Sequence, residues 1–191
     1  DELGQEFASD MAGIGVDFRS GGPDASIPTG RCIIAVTPDA QRTMNTYLGI
    51  STLLSFDDVD AELVTSGAIL YLEGYLFDRD EAKHAFRQAA SLAHGHGRVV
   101  SLTLSDSFCV DRHRTDFRAL VRDEIDLLFA NEDELKSLYE TDYFDEAVQF
   151  LRKDCHIAAV TRSEKGSVIV TRDDVHAVPA QPVEKVVDTT G

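Results

Sequence analysis

The sequence predicts an α/β fold: a doubly wound, mostly parallel sheet with helices on both faces, joined by a small β-rich segment. Three observations support this. From Phe56 onward, short apolar runs alternate with stretches of helical periodicity, the pattern that makes right-handed βαβ units. The apolar runs are nearly continuous, Ile125-Asp126-Leu127-Leu128-Phe129 among them, as in strands covered on both sides. Ahead of them lie two β-rich runs that share a turn and lack helical periodicity.

Taken in order, Glu2 to Met11 reads as a helix stopped by Gly13 and Gly15. Residues 20–26, with two glycines and a proline, read as a loop. Thr29 to Thr37 and Arg42 to Leu48 are the β-rich runs, and Pro38-Asp39-Ala40-Gln41 between them is turn chemistry, so the pair predicts a hairpin. The β-rich segment is therefore placed at residues 16–51 and the α/β core at 1–15 and 52–191. In the core, Asp57 to Thr65 reads as a short helix and Ala68 to Leu72 as a strand. Arg79 to His94 carries Ala82, Ala85, Phe86, Ala89, Ala90 and Ala93 at helical spacing and stops at Gly95 and Gly97. Further strands are expected at Arg98 to Leu104, Ile125 to Ala130 and Ile157 to Thr161. Helices are expected at Arg114 to Arg122, Glu132 to Tyr139 and Asp145 to Lys153, with Asp111 to Arg114 as a solvated helix start. Gly166 to Val170 and Val175 to Ala180 read as two strands around the Arg172-Asp173-Asp174 turn.

The bulk numbers exclude several classes. With 191 residues and 43% hydrophobic content, the chain can bury a sizeable core. Its apolar runs are too short to span a membrane, and no charged-then-apolar leader can be read. Eighteen basic against 34 acidic residues give a formal charge of −16, which repels nucleic acid and anionic membranes, and no Lys/Arg cluster offsets it. Cys32, Cys109 and Cys155 are odd in number and far apart, neither a disulfide framework nor a zinc pattern, so a reducing, cytoplasmic setting is expected.

In parallel sheets, ligands sit at the carboxyl ends of the strands, so chemistry is sought at strand-to-helix turns. Asn131-Glu132-Asp133-Glu134 comes directly after a strand. Its oxygens suit a water-mediated Mg²⁺ site, and the same spacing is that of a capping box, with Asn131 as cap and Glu134 at the third helical position. Thr161-Arg162-Ser163-Glu164-Lys165-Gly166 lies between two strands; it is either a phosphate-touching loop or a polar turn. Asp106, after another strand, either meets a ligand or caps the segment beyond it. Glu73 at a strand end could accept from a sugar hydroxyl or face solvent. His94, His96 and His113 receive no function. Val186-Val187-Asp188-Thr189-Thr190-Gly191 reads as a strand feeding a turn toward a helix N-terminus, a place that binds anions. No Gly-x-Gly-x-x-Gly after a strand, Walker A sequence or nucleophile elbow is present.

Together these stretches resemble the PfkB/ribokinase family of sugar and nucleoside kinases, in its adenosine-kinase-like branch. The likeness is carried by Thr29 to Cys32, Arg42 to Gly49, Tyr71 to Tyr75, Phe129 to Glu134, Thr161 to Ser167 and Asp188 to Gly191, in family order along the whole chain. It implies a ribokinase-like core with a small β-sheet lid, here the hairpin, closing over the substrate. Asn131 and Glu134 fit the motif that positions Mg²⁺ and phosphate. Thr161 and Gly166 fit a nucleotide loop that usually reads Thr-x-Gly-x-x-Gly, and Ser163 departs from it by replacing the first glycine. Arg31, Asn45 and Glu73 fall in substrate and lid segments. Asp188, Thr189, Thr190 and Gly191 open the anion-hole signature, which in the family continues Ala-Gly-Asp with the last Asp as base.

The implied reaction is transfer of the ATP γ-phosphoryl group to a hydroxyl of a sugar or nucleoside. Adenosine is favoured by overall likeness, ahead of ribose, fructose or another nucleoside. ATP and Mg²⁺ are the implied cofactors, and a homodimer through the lid is a family option. The family's opening strand and sugar-gripping Gly-Gly and Asn segment would precede Asp1, and its base would come after Gly191. The 191 residues by themselves are thus expected to be inactive and to fold poorly or associate. A non-catalytic nucleotide- or sugar-binding module is the alternative.

Overall fold

A computed structural model describes residues 1–19 and 26–187. Its first helix, α1 (Glu2–Gly13), is capped by Asp1, whose carboxylate accepts from Gly4 N at 2.9 Å. The same carboxylate accepts from Thr29 N at 2.9 Å and Thr29 Oγ1 at 2.6 Å, tying the helix start to the approach of the hairpin. That hairpin is as expected: β1 (Arg31–Val36) pairs antiparallel with β2 (Arg42–Tyr47), Arg31 opposite Tyr47 and Val36 opposite Arg42. In the turn, Thr37 N donates to Gln41 O at 2.8 Å and Ala40 takes a left-handed φ of 64°.

The expected helix over Asp57 to Thr65 is divided. A single 3₁₀ turn at Phe56–Asp58 precedes α2 (Ala61–Ser66). Asp60 makes the break, because its carboxylate accepts from Glu62 N at 2.9 Å and Leu63 N at 3.1 Å and so starts a new helix.

Among the described residues the core sheet has six strands, β3 (Ile69–Glu73), β4 (Val99–Thr103), β5 (Leu127–Asn131), β6 (Ile157–Thr161), β7 (Ser167–Thr171) and β8 (Val175–Val178), arranged in sequence order. The first four run parallel; β7 and β8 each turn back antiparallel. The connections carry α3 (Asp80–Gly95), α4 (Ser107–Glu124), α5 (Glu132–Tyr139) and α6 (Phe144–Asp154). Right-handed crossovers that all step in one direction deliver their helices to one face. Leu72, Val100, Leu102, Leu128, Ala130, Ala158, Val160, Val168 and Val170 are accordingly buried. On the opposite face Ile69, Tyr71, Phe129 and Ile157 are exposed among the described residues. The two-sided burial expected for Ile125 to Phe129 is thus corrected to one-sided burial, Leu128 inward and Phe129 outward.

The helix expected over Arg114 to Arg122 is longer, and Asp111 to Arg114 is not its start. It begins at Ser107, because Asp106 accepts from Cys109 N at 2.6 Å, and it bends at His113 (φ −127°). At the bend Arg112 donates to both oxygens of Asp78 (3.0 and 3.2 Å), and His113 Nε2 lies 2.7 Å from Asp78 Oδ1. Asp78 ends a 3₁₀ segment, Gly74–Asp78, that continues from β3. Phe77 in that segment is fully buried, its ring centroid 4.6 Å from Phe117 of α4 and 5.5 Å from Phe86 of α3. This aromatic group fixes the carboxyl end of β3 against two helices. Val186 and Val187 are exposed and form no strand; among the described residues β8 is the last strand of the sheet, and no ladder partner stands beside them.

Candidate functional site

Because β3 to β6 run parallel, Glu73, Asp106, Asn131 and Thr161 arrive at one edge of the sheet. At the β5–α5 turn both readings of Asn131-x-x-Glu134 bear on the geometry. The capping box is complete: Glu134 N donates to Asn131 Oδ1 (2.8 Å), and Asn131 N donates to Glu134 Oε2 (2.9 Å). Asn131 Nδ2 adds a third bond to Glu134 Oε1 at 2.7 Å. Glu134 is only 5% exposed. Burial pushes its carboxyl up, the Asn131 N–H partly offsets this, and the nearby Asp106 and Glu73 carboxylates push it further. Among the described residues no group of three or more His, Cys, Asp or Glu side chains is arranged to hold a metal ion. The donors here are an amide and a carboxylate already engaged with one another, so they suit Mg²⁺ that keeps its waters.

Beside this turn lies a second cluster. Ser105, at a left-handed φ of 72°, donates its hydroxyl to Glu73 Oε1, and Tyr75 N donates to Ser105 Oγ at 3.2 Å. Gly74 fits between the strands because a Cβ there would stand 2.6 Å from Thr103 O. Burial pushes the Tyr75 phenol up, with Asp106, Glu73 and Glu134 adding to it. Three carboxylates from three different turns therefore act on one phenol. Sequence reasoning identifies Glu73 and Asp106 but misses Ser105 and Tyr75. The Tyr71 to Tyr75 motif is the available signal; a positive φ at a serine leaves none.

The Thr161 to Gly166 loop closes on itself. Arg162 N donates to Gly166 O at 2.8 Å, Lys165 N to Arg162 O at 3.0 Å, and Gly166 N to Ser163 O at 3.0 Å. Ser163 takes a φ of 53°, so the position where the resemblance expects glycine does need a left-handed backbone. Gly166, at φ 87°, has no room for a Cβ, which would stand 2.0 Å from Val178 O. Arg162 Nε donates to Glu132 Oε2 at 2.8 Å, and its Cζ stands 3.8 Å from the centroid of the Phe144 ring. The Arg162 bond holds the Glu132 carboxyl below its usual range against a smaller opposing effect of burial. Lys136 and Lys165 approach the same carboxylate at 3.7 and 3.8 Å.

A cavity of about 790 Å³ lies between these two turns, lined by Asn131, Glu132, Asp133, Lys136 and residues 161–166, with Arg42 from the hairpin. It brings the expected residues Asn131, Thr161, Ser163 and Gly166 together, and Glu134 packs beneath it through Asn131. Lys136 and Lys165 on its lining give it cationic side chains for a polyanion, while the Arg162, Lys165 and Gly166 N–H groups are spent inside the turn.

Arg31 and Asn45 lie elsewhere, on one face of the hairpin. Arg31 stands 5.6 Å over the Tyr47 ring, while Cys32, Ile34, Val36 and Met44 share the other face. Asp188, Thr189, Thr190 and Gly191 lie outside the described residues. His94 pairs with Asp126 at 3.0 Å and His96 with Leu92 O at 2.9 Å, so each is accounted for by local structure.

The profile of the pfkB family carbohydrate kinases matches residues 1–191. An adenosine kinase from Sinorhizobium meliloti is 47% identical over all of this chain, with a TM-score of 0.94. A candidate sugar kinase from Rhizobium etli CFN 42 has the same identity and TM-score. This chain spans 59% and 58% of the length of those two proteins. A candidate ribokinase II from E. coli, solved with ATP and Mg²⁺, shares the fold at 19% identity with a TM-score of 0.84. No curated protein matches the chain.

Proposed function

Since the chain belongs to the pfkB family of carbohydrate kinases, we propose that it forms the nucleotide-binding part of an ATP-dependent phosphotransferase acting on a hydroxyl of a sugar or nucleoside. Adenosine is the favoured acceptor, as the 47%-identical S. meliloti relative is an adenosine kinase. The observation that carries the proposal is the cavity where the Asn131 cap and the Thr161 to Gly166 loop meet at the carboxyl edge of the sheet. There Lys136 and Lys165 meet the polyphosphate, beside a loop that Arg162 ties to Glu132. Asn131 and Glu134 are the residues that would hold a hydrated Mg²⁺ through its waters. When bound, that ion neutralises charge on the phosphates.

Residues 16–51 act as the lid. Arg31 and Asn45, which share one face of the hairpin, face the acceptor, and closure excludes water. Glu73 accepts from acceptor hydroxyls. Asp188 to Gly191 supply anion-hole N–H groups, and the base belongs to residues beyond Gly191. The apolar hairpin face of Ile34, Val36 and Met44 suits a lid-to-lid dimer. Three free cysteines and a charge of −16 fit a reducing cytoplasm and a small-molecule partner over a nucleic acid. No helix among the described residues is long and apolar enough to cross a membrane.

Isothermal titration of these 191 residues with MgADP, beside a phosphotransfer assay on adenosine, ribose and fructose, tests the proposal. We expect nucleotide binding without transfer. A chain that binds no MgADP overturns the assignment of the cavity, and transfer by the chain alone overturns the placement of the base.

A further inference from the structure

Two residues of the Thr161 to Gly166 loop, Ser163 and Gly166, hold left-handed backbone, and its internal bonds are a few main-chain contacts within the turn. A non-glycine residue in that region carries a conformational cost, so the turn stays in this shape only where something outside it holds it. The β6–β7 ladder, with Thr161 opposite Ser167, holds the base of the turn, and Arg162 ties its side to α5 and α6. Its guanidinium donates to Glu132 Oε2 at 2.8 Å and sits over the ring of Phe144, which is packed against the hydrophobic core. Both charged side chains are mostly sheltered, at 24% and 20% exposure, where a hydrogen-bonded ion pair is worth more than on an open surface. Glu132 belongs to the first turn of α5, directly after Asn131, and Phe144 begins α6.

We propose that Glu132, Arg162 and Phe144 form a latch that positions the nucleotide loop relative to the Asn131 turn. Arg162 is thus a positioning residue: its charge is engaged by Glu132, and its own N–H closes the turn through Gly166 O. Lysine cannot replace it, because an ammonium lacks the planar face that stacks on the ring. This rests on the reading of the cavity as a nucleotide site.

Three variants test it: Glu132→Gln, Arg162→Lys and Phe144→Leu, each titrated with MgADP and each digested briefly with trypsin. Trypsin cuts after either arginine or lysine, so position 162 stays a cleavage site in every variant, as does Lys165. We expect MgADP affinity to fall about tenfold in each, through loss of the ionic partner in Glu132→Gln, of the planar fork in Arg162→Lys and of the cation–π face in Phe144→Leu. Cleavage at the loop should quicken by a similar factor while the thermal midpoint moves little. Unchanged affinity and unchanged cleavage overturn the latch, as does a loss of affinity matched by a general loss of thermal stability. If the wild-type chain binds no MgADP, the nucleotide reading fails, and the trypsin comparison still decides whether the latch holds the loop.

Discussion

Glu134 serves one turn in two ways: it completes the cap of α5 and places a buried carboxylate beside Asp106 and Glu73. The two roles separate by substitution. Glutamine keeps an acceptor for Asn131 N but cannot ionise, whereas alanine removes both. Glu134→Gln keeps one of the two acceptors and sets its NH₂ against Asn131 Nδ2. It should therefore cost about 1 kcal/mol even though a raised carboxyl loses little by neutralisation, and Glu134→Ala, which removes both acceptors, should cost about 2–3 kcal/mol. Urea unfolding at pH 7 checks this; equal losses in the two variants would remove the cap from the account. At this scale the sequence reveals what is local. Asn131-x-x-Glu134 is three residues of spacing and is readable from the chain alone. Glu132 and Arg162 are 30 residues apart, and nothing in either neighbourhood announces their pairing. The left-handed Ser163 is foreshadowed only by the glycine that its family position usually holds.

Among the elements, the bend of α4 is the best place for a pH test. Burial pushes the Asp78 carboxyl up, but hydrogen bonds from His113 and Arg112 outweigh it and hold the group below its usual value of 3.8. A carboxyl lowered by folding stabilises above its unfolded pKa, and that contribution disappears as pH falls through the folded value. With 42% of its side chain exposed, Asp78 is well screened, so Asp78→Asn should cost only about 0.5–1 kcal/mol at pH 7. The gap between variant and wild type in urea midpoint should narrow as the pH falls through the folded value; a gap that persists in full would point to packing instead of charge. Helix α3 is legible because its alanines keep strict spacing. The start of α4 is hidden, because Asp111-Arg112-His113-Arg114 looks like a solvated boundary when Asp78 is not in view. From sequence Asp106 suits a ligand contact or a cap equally, and its bond to Cys109 N makes it a cap.

At the level of the molecule, the sheet is dressed unevenly. Its helix-side residues are buried, while Tyr71 is 56% and Phe129 38% exposed on the other side, their rings 6.5 Å apart. Apolar strand sequences state how apolar a strand is, not how many faces are covered, so this lies beyond what the sequence can tell. An apolar face of this kind favours association. We expect the 191-residue chain to self-associate at micromolar concentration in sedimentation velocity, and Tyr71→Lys with Phe129→Lys to suppress it while costing less than about 1 kcal/mol per site. A wild-type chain that stays monomeric would contradict this. The strand order carries a consequence for biosynthesis. Every strand from β4 to β8 pairs with the strand just before it in sequence. During translation, each new strand therefore leaves the ribosome with its neighbour already made, and the sheet can lengthen at a single growing edge without waiting for distant residues.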